Sequence, residues 1–195
     1  MTELTPTPDA AVRTARGTDA EQVGAVQALL WRAAYGRFLS PELLAEFTPE
    51  AFGAVWAQSL TAPPSPRHRL LVATQGQDLV GFVAVGPATT DSATTDPVND
   101  VEGAGPTGEI LVGGVLDTHR RTGHGSRLLN AAVDTLRAGD FGRVEMWVLA
   151  LDTQTLDFAE QAGLEADGAW RERALPGDAV APELRLRAWI GPQDS

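Results

Sequence analysis

The sequence predicts an α/β (α+β) fold, a mixed and mostly antiparallel sheet of six to seven strands with a central β-α-β unit and flanking helices. Three observations predict it. Arg69 to Thr74 and Leu79 to Val85 are β-rich runs joined through Gly76-Gln77-Asp78, whose turn chemistry makes them an antiparallel hairpin. Glu109 to Leu116 and the apolar run Val144 to Leu149 flank a helical segment, Ser126 to Leu136, and a helix serving as a crossover forces its two strands to run parallel. Glu165 to Glu172 and Glu183 to Ile190 surround Pro176-Gly177-Asp178 and close the sheet as a second pair.

The remaining elements follow in order. Ala11 to Arg16 reads as a short strand after a flexible tail over residues 1–10. Thr18-Asp19-Ala20-Glu21 has the residue types of an acidic capping box, opening a helix whose Val23, Val26, Leu29, Leu30 and Ala33 form one apolar stripe. Trp31 and Tyr35 fall near its end, and Gly36 releases the chain. Ser40-Pro41-Glu42 and Thr48-Pro49-Glu50 each place a capping hydroxyl before a proline at the first helical position, which predicts two short helices. The proline cluster from Ala62 to Pro66 ends the second. Gly86 to Gly108 lacks periodicity and reads as a long loop. Leu128, Leu129, Ala132, Val133 and Leu136 give the crossover helix its core face. Val144 to Leu149 is apolar enough for a strand buried on both faces, and a last helix runs from Asp152-Thr153-Gln154 to Gly163.

Composition narrows the function. At 195 residues the chain closes one sizeable core rather than two, so residues 1–195 are expected to form a single domain, folding alone or as a simple oligomer with a homodimer as the possible assembly. A formal charge of -11 argues against nucleic acid, whose phosphates would meet a repulsive field. Without Cys there is no disulfide, thiolate metal site or Cys nucleophile, and all 15 cationic side chains are Arg, so no Lys is present to form a Schiff base. No apolar run is long enough to span a bilayer and no secretory leader is apparent, which points to no membrane partner and a cytoplasmic protein.

The residues that carry chemistry lie between the central strand and its helix. Arg120-Arg121-Thr122-Gly123-His124-Gly125 places two glycines and two cations where backbone N–H groups emerge at the positive end of a helix dipole, an arrangement that suits a diphosphate. No Gly-Lys-Ser/Thr closes the turn as a P-loop requires, and Leu128 stands where a dinucleotide fingerprint needs its third glycine. The same glycines also suit a tight connection that binds nothing. His119 and His124 flank the turn without a second ligand nearby, and read as surface or diphosphate-adjacent groups with no metal site. Trp31, Trp56 and Trp147 read as core.

From Gly108 to Gly168 the string resembles the coenzyme A core of the GNAT superfamily of N-acyltransferases. Arg120, Gly123 and Gly125 match its Gln/Arg-x-x-Gly-x-Gly/Ala hallmark, with Glu109-Ile110, Val115, Asp117, Met146 to Leu149 and Phe158 to Leu164 in similar order around it. Trp31 to Tyr35, Leu43 to Phe47, Trp56 and Leu79 to Phe82 resemble the acceptor-side half less specifically. The resemblance implies a GNAT-like fold that takes acetyl-CoA as cosubstrate, without metal, and acetylates a primary amine of a small molecule or peptide by direct attack. It implies that the diphosphate is held by Arg120, Arg121, Thr122, Gly123, His124, Gly125 and Ser126, that pantetheine lies along Leu111 to Val115 like an added strand, and that Asp152 and Phe158 are neighbours of the coenzyme. The thioester is then expected near Gly113 and Gly114, small residues that suit either that role or a plain β-bulge.

An amine of pKa near 10.4 is neutral at pH 7 only about one part in a few thousand, so a proton acceptor is useful. The resemblance assigns that role to Glu109, whose other reading is a solvated acid at a strand start. Two departures stand out: Ala159 where many relatives carry a thiolate-protonating Tyr, and Asp152 where they often carry Asn. Tyr35, the single tyrosine, is the candidate replacement acid. Acidity away from the turn favours a cationic acceptor by steering, though net charge does not choose among polyamines, aminoglycosides and peptide amines. The alternative function is a non-catalytic acyl-CoA-binding regulatory module, in which Ala159 marks lost chemistry; a domain that binds no nucleotide is the third.

Overall fold

A computed structural model describes residues 10–89 and 105–192. Seven strands form one sheet in the order β1-β2-β3-β4-β5-β7-β6. They are β1 (Ala10–Thr14), β2 (Arg69–Gln75), β3 (Asp78–Pro87), β4 (Thr107–Val115), β5 (Arg143–Leu149), β6 (Glu165–Ala174) and β7 (Val180–Trp189). Every neighbouring pair is antiparallel except β4 and β5, the two strands joined by a helical crossover. The helices are α1 (Ala20–Tyr35), α2 (Pro41–Ala45), α3 (Pro49–Thr61), α4 (His124–Ala138) and α5 (Thr153–Gln161). No helix among the described residues is long and apolar enough to cross a membrane.

Local chemistry sets the helix starts. Ser40 Oγ accepts from the Leu43 N–H at 3.4 Å and Thr48 Oγ1 from the Ala51 N–H at 3.1 Å, each before a proline that needs no donor partner. The expected capping box at the start of α1 is replaced by a different device. Residues Gly17–Asp19 form a 3-10 turn, and the Asp19 carboxylate accepts from the Arg16 N–H at 2.6 Å and from the Arg13 guanidinium at 2.6 and 2.9 Å. Asp19 therefore ties β1 to the helix entrance, and Arg13 holds its carboxyl below the usual range. Helices α1 and α3 then cross at Gly24, where a Cβ would lie 2.4 Å from the Gly53 nitrogen.

The two faces of the sheet differ in kind. One face packs against α4 and α5 through Val83, Val85, Ile110, Leu128, Leu129, Leu136, Val144, Val148 and Leu164. On the other, α1 and α3 cover β2 to β4 through Val23, Val26, Leu70, Val72 and Phe82, while Tyr35, Phe47 and Leu175 form a separate cluster at the end of β5 and β7. Between them, β5, β7 and β6 carry charges on this second face. Glu145 sits 3.0 Å from Arg187, Asp167 sits 2.8 Å from Arg185, and Glu183 binds Arg171 and Arg173.

That layer corrects the reading of Val144 to Leu149 as apolar on both faces: Glu145 and Trp147 interrupt the run, and both point to the ionic side with their cross-strand partners Arg187 and Arg185. The long-loop region is shorter than read, because β3 continues through Pro87 and β4 begins at Thr107; its middle, 90–104, and the tail residues 1–9 lie outside the described residues.

Candidate active site

The site begins where the sheet comes apart. The parallel ladder between β4 and β5 runs through Thr107–Arg143, Gly108–Val144, Glu109–Glu145 and Ile110–Met146, and ends there. Strand β5 continues to Leu149 against β7, and β4 continues to Val115 against β3, so the two strands part with no described strand between them. The Leu116 N–H donates to the Val80 carbonyl at 2.9 Å. Because successive residues of a strand present their N–H and C=O to opposite edges, Val115 and Gly113 turn theirs toward the gap.

The irregularity that starts the parting is Leu111. Ala84 pairs with Val112 while Val85 pairs with Ile110, so Leu111 is the extra residue of a bulge. The bulge therefore lies upstream of Gly113 and Gly114, for which a plain bulge was one of two readings. Those glycines answer to packing: a Cβ on Gly113 would approach the Phe82 carbonyl oxygen to 2.7 Å, and one on Gly114 would meet Leu30 at 2.9 Å.

At the open end of the gap, a 3-10 turn over Asp117–His119 leads to Arg120 to Gly123 and then α4. Arg121 (φ 63°) and Gly123 (φ 86°) both adopt the left-handed conformation, which directs the chain into the helix with Gly123 as N-cap. The first helical hydrogen bond is Arg127 N–H to Gly123 O at 3.1 Å, leaving the N–H groups of His124, Gly125 and Ser126 without a helical acceptor. Arg120 is anchored by Asp117 at 2.8 Å and by the Gln154 side chain. Thr122 Oγ1 donates to the His119 carbonyl at 2.6 Å and does not point into the mouth of the helix as a free donor. A Cβ on Gly125 would lie 3.6 Å from the Phe158 ring, so Phe158, on α5, walls the turn.

His124 overturns its surface reading. Its side chain is 2% exposed, Nε2 stands 3.4 Å from Gln75 Oε1, and Nδ1 is buried without a partner. Burial, with Arg127 and His119 nearby, lowers its pKa and keeps the ring neutral. Its backbone, not its imidazole, belongs to the turn. Asp152 is likewise occupied: its carboxylate caps α5, accepting from the Thr155 N–H at 3.0 Å and hydroxyl at 2.7 Å. Ala159 is wholly buried in the core under α5.

Glu109 lies on the last rung but one before the gap. It is not a solvated acid: it is 5% exposed and reached only at 3.4 Å by the Thr89 N–H and hydroxyl. Burial, and to a lesser degree Glu145, pushes its pKa up, against the pull of Thr89 and Arg171. Tyr35 is also buried, edge-on to Trp31 at 5.2 Å and to Phe47 at 6.2 Å, and burial raises its pKa. All three tryptophans are half-buried: Trp31 and Trp56 pack against the apolar clusters, whereas Trp147 lies on the ionic face with the Arg171 guanidinium 4.2 Å above its ring. That face was missed in the sequence; its signal is the alternation of charged residues in Arg171, Arg173, Glu183, Arg185 and Arg187.

A parted parallel pair, with a glycine-bearing helix start at its open end, coincides with a family match. The sequence model of the acetyltransferase (GNAT) family matches residues 25–164, from α1 to the end of α5. The chain belongs to this family. Its fold is that of other GNAT proteins. The acetyltransferase of GNAT family from Streptococcus pneumoniae superposes with a TM-score of 0.62 at 18% identity, over 94% of this chain and 100% of that one. The PaiA N-acetyltransferase of Thermoplasma acidophilum, in complex with coenzyme A, gives 0.61 at 14% over 90% and 98%. The yncA protein of Salmonella typhimurium, with acetyl-CoA, gives 0.62 at 14% over 95% and 96%. No curated protein matches the chain significantly in sequence. No group of three or more His, Cys, Asp or Glu that could hold a metal occurs among the described residues.

Proposed function

We propose that the protein is an acetyl-CoA-dependent N-acetyltransferase that acts on a primary amine by direct attack. The observation that carries the reading is the gap after Ile110 and Met146, with exposed strand amides along it and a helix start at its mouth. An extended amide chain fits such an edge as a strand would, and a diphosphate fits the N–H groups of His124, Gly125 and Ser126. In this reading Arg120, Arg121, Thr122 and Gly123 surround the diphosphate, Gly113, Gly114 and Val115 border the pantetheine arm, and Phe158 walls it. Asp152 acts indirectly, by fixing the start of α5.

The cosubstrate supplies an acyl thioester, whose C–S bond breaks as the C–N bond forms. Glu109 takes the proton that the amine sheds, directly or through a water. Its burial raises its pKa and makes it a stronger proton acceptor than an exposed carboxylate. Tyr35 would return a proton to the departing sulfur, standing on the same face as Glu109 in place of the tyrosine that Ala159 lacks. A thiol of pKa about 8.5 leaves without much help, so this contribution is expected to be on the order of tenfold. A calorimetric titration with acetyl-CoA, paired with thiol release across an amine panel, tests the reading. Saturable binding with turnover supports it; binding without turnover on any amine would favour a regulatory acyl-CoA-binding module; absence of binding would overturn both.

A further inference from the structure

The charged face of β5, β7 and β6 is nearly balanced. Glu145 and Asp167 pair with Arg185 and Arg187, two acids against two bases. In the remaining set Glu183, 3% exposed, accepts from the Nε of Arg171 at 2.7 Å and from the Nε of Arg173 at 2.5 Å. One buried carboxylate thus holds two guanidinium groups, and a second acid in electrostatic reach of these arginines is Glu109. Neither arginine uses its terminal nitrogens in a hydrogen bond among the described residues, and the two side chains remain 27% and 30% exposed. Arg171 is further fixed by stacking over Trp147.

Two guanidinium groups fixed by their inner nitrogens, with outer N–H groups that bond to none of the described residues, form a fork suited to a bidentate anion. The fork stands on the same face as Glu109 and Tyr35 and within electrostatic reach of both. We propose that Arg171 and Arg173 bind an anionic group of the acceptor, so that the substrate is a primary amine also bearing a carboxylate or a phosphoryl group, with its amine at Glu109. The inference rests on the acetyltransferase reading above. It replaces the steering expected from net charge with a local feature, because net acidity says nothing about two guanidinium groups fixed on one face.

The experiment compares kcat/KM for matched amines: L-methionine and L-phenylalanine against 3-methylthiopropylamine and phenethylamine, with O-phosphoethanolamine as the phosphoryl arm. The expected result is a preference of at least tenfold for the anion-bearing member, carried in KM, with the carboxylate and phosphoryl arms showing which anion is taken. In Arg171→Gln and Arg173→Gln that preference ratio falls at least tenfold, and Arg173→Lys restores part of it; thermal melts confirm folding. A wild-type protein that binds acetyl-CoA but acetylates the decarboxylated amines equally well overturns this inference alone. Preference ratios unchanged in the folded variants do the same. A wild-type protein that does not bind acetyl-CoA overturns it together with the reading on which it rests.

Discussion

Glu109 and Glu145 occupy one rung of the parallel ladder, side by side and both buried, one residue before β4 and β5 part. Their partners differ: Glu145 has Arg187 at 3.0 Å, whereas Glu109 has, among the described residues, only the long contacts from Thr89. The pair thus holds one compensated carboxylate and one whose ionisation is opposed by its surroundings, which is the asymmetry a proton acceptor requires.

Activity should fall on the acid side as Glu109 protonates, with a limb above the ordinary carboxylate value because burial raises its pKa. Glu109→Gln should lower kcat on the order of a hundredfold and abolish that limb. A pH profile of kcat/KM for both proteins checks this.

The same substitution should stabilise the fold. A raised folded-state pKa contributes stability that is present below the unfolded value and lost as pH rises through the folded one, so ionised Glu109 costs stability at neutral pH. Glu109→Gln should therefore raise Tm at pH 7.5. The gain should vanish near pH 4. Calorimetry at the two pH values measures it.

His124 carries the opposite sign. Its depressed pKa means that stability present above pH ~6.5 is lost as pH falls through the lower folded value, where the buried ring must charge. His124→Leu should flatten the acid limb of Tm against pH below about 6.5. A wild-type limb of unchanged steepness in the variant would assign the acid sensitivity elsewhere.

The two glycines of the turn should separate folding from binding. Gly123 is left-handed at φ 86°, so Gly123→Ala should cost about 1–2 kcal/mol and disturb the helix start. Gly125 has an ordinary conformation and room for a methyl at 3.6 Å from Phe158. Gly125→Ala should leave Tm within about a degree while weakening coenzyme A by about tenfold, because the added carbon stands beside the exposed N–H groups. Titration calorimetry and a melt on each variant distinguish them.

Tyr35→Phe keeps the aromatic packing and removes only the hydroxyl. It should lower kcat about tenfold with little change in Tm; an unchanged kcat would assign Tyr35 to packing with Trp31 and Phe47 alone.

Much of this was legible because periodicity and punctuation agree locally. The seven strands and the crossover appear where alternation, glycine turns and Ser/Thr-Pro caps place them, and the Arg120 to Gly125 string marks its own position between strand and helix. What was not legible depends on registers that no local pattern states. The burial of Glu109, which left its reading divided between proton acceptor and solvated acid, follows from the rung it shares with Gly86 and Glu145, and that of His124, read as surface or diphosphate-adjacent, from Gln75 of β2 beside it. The Arg171–Glu183–Arg173 fork requires knowing that β6 and β7 pair with these residues on one face. Leu111, an ordinary apolar residue, gives no sign of being the bulge.

The four rungs that close β4 against β5 leave the amides of Gly113 and Val115 without a strand partner on that side among the described residues, although they belong to an interior strand. Interior strands ordinarily exchange their amide hydrogens over hours; these two should exchange like those of an edge. A bound extended molecule would supply the missing acceptors, so occupancy of the gap would be recorded as slowed deuterium uptake at two backbone positions, independent of any turnover.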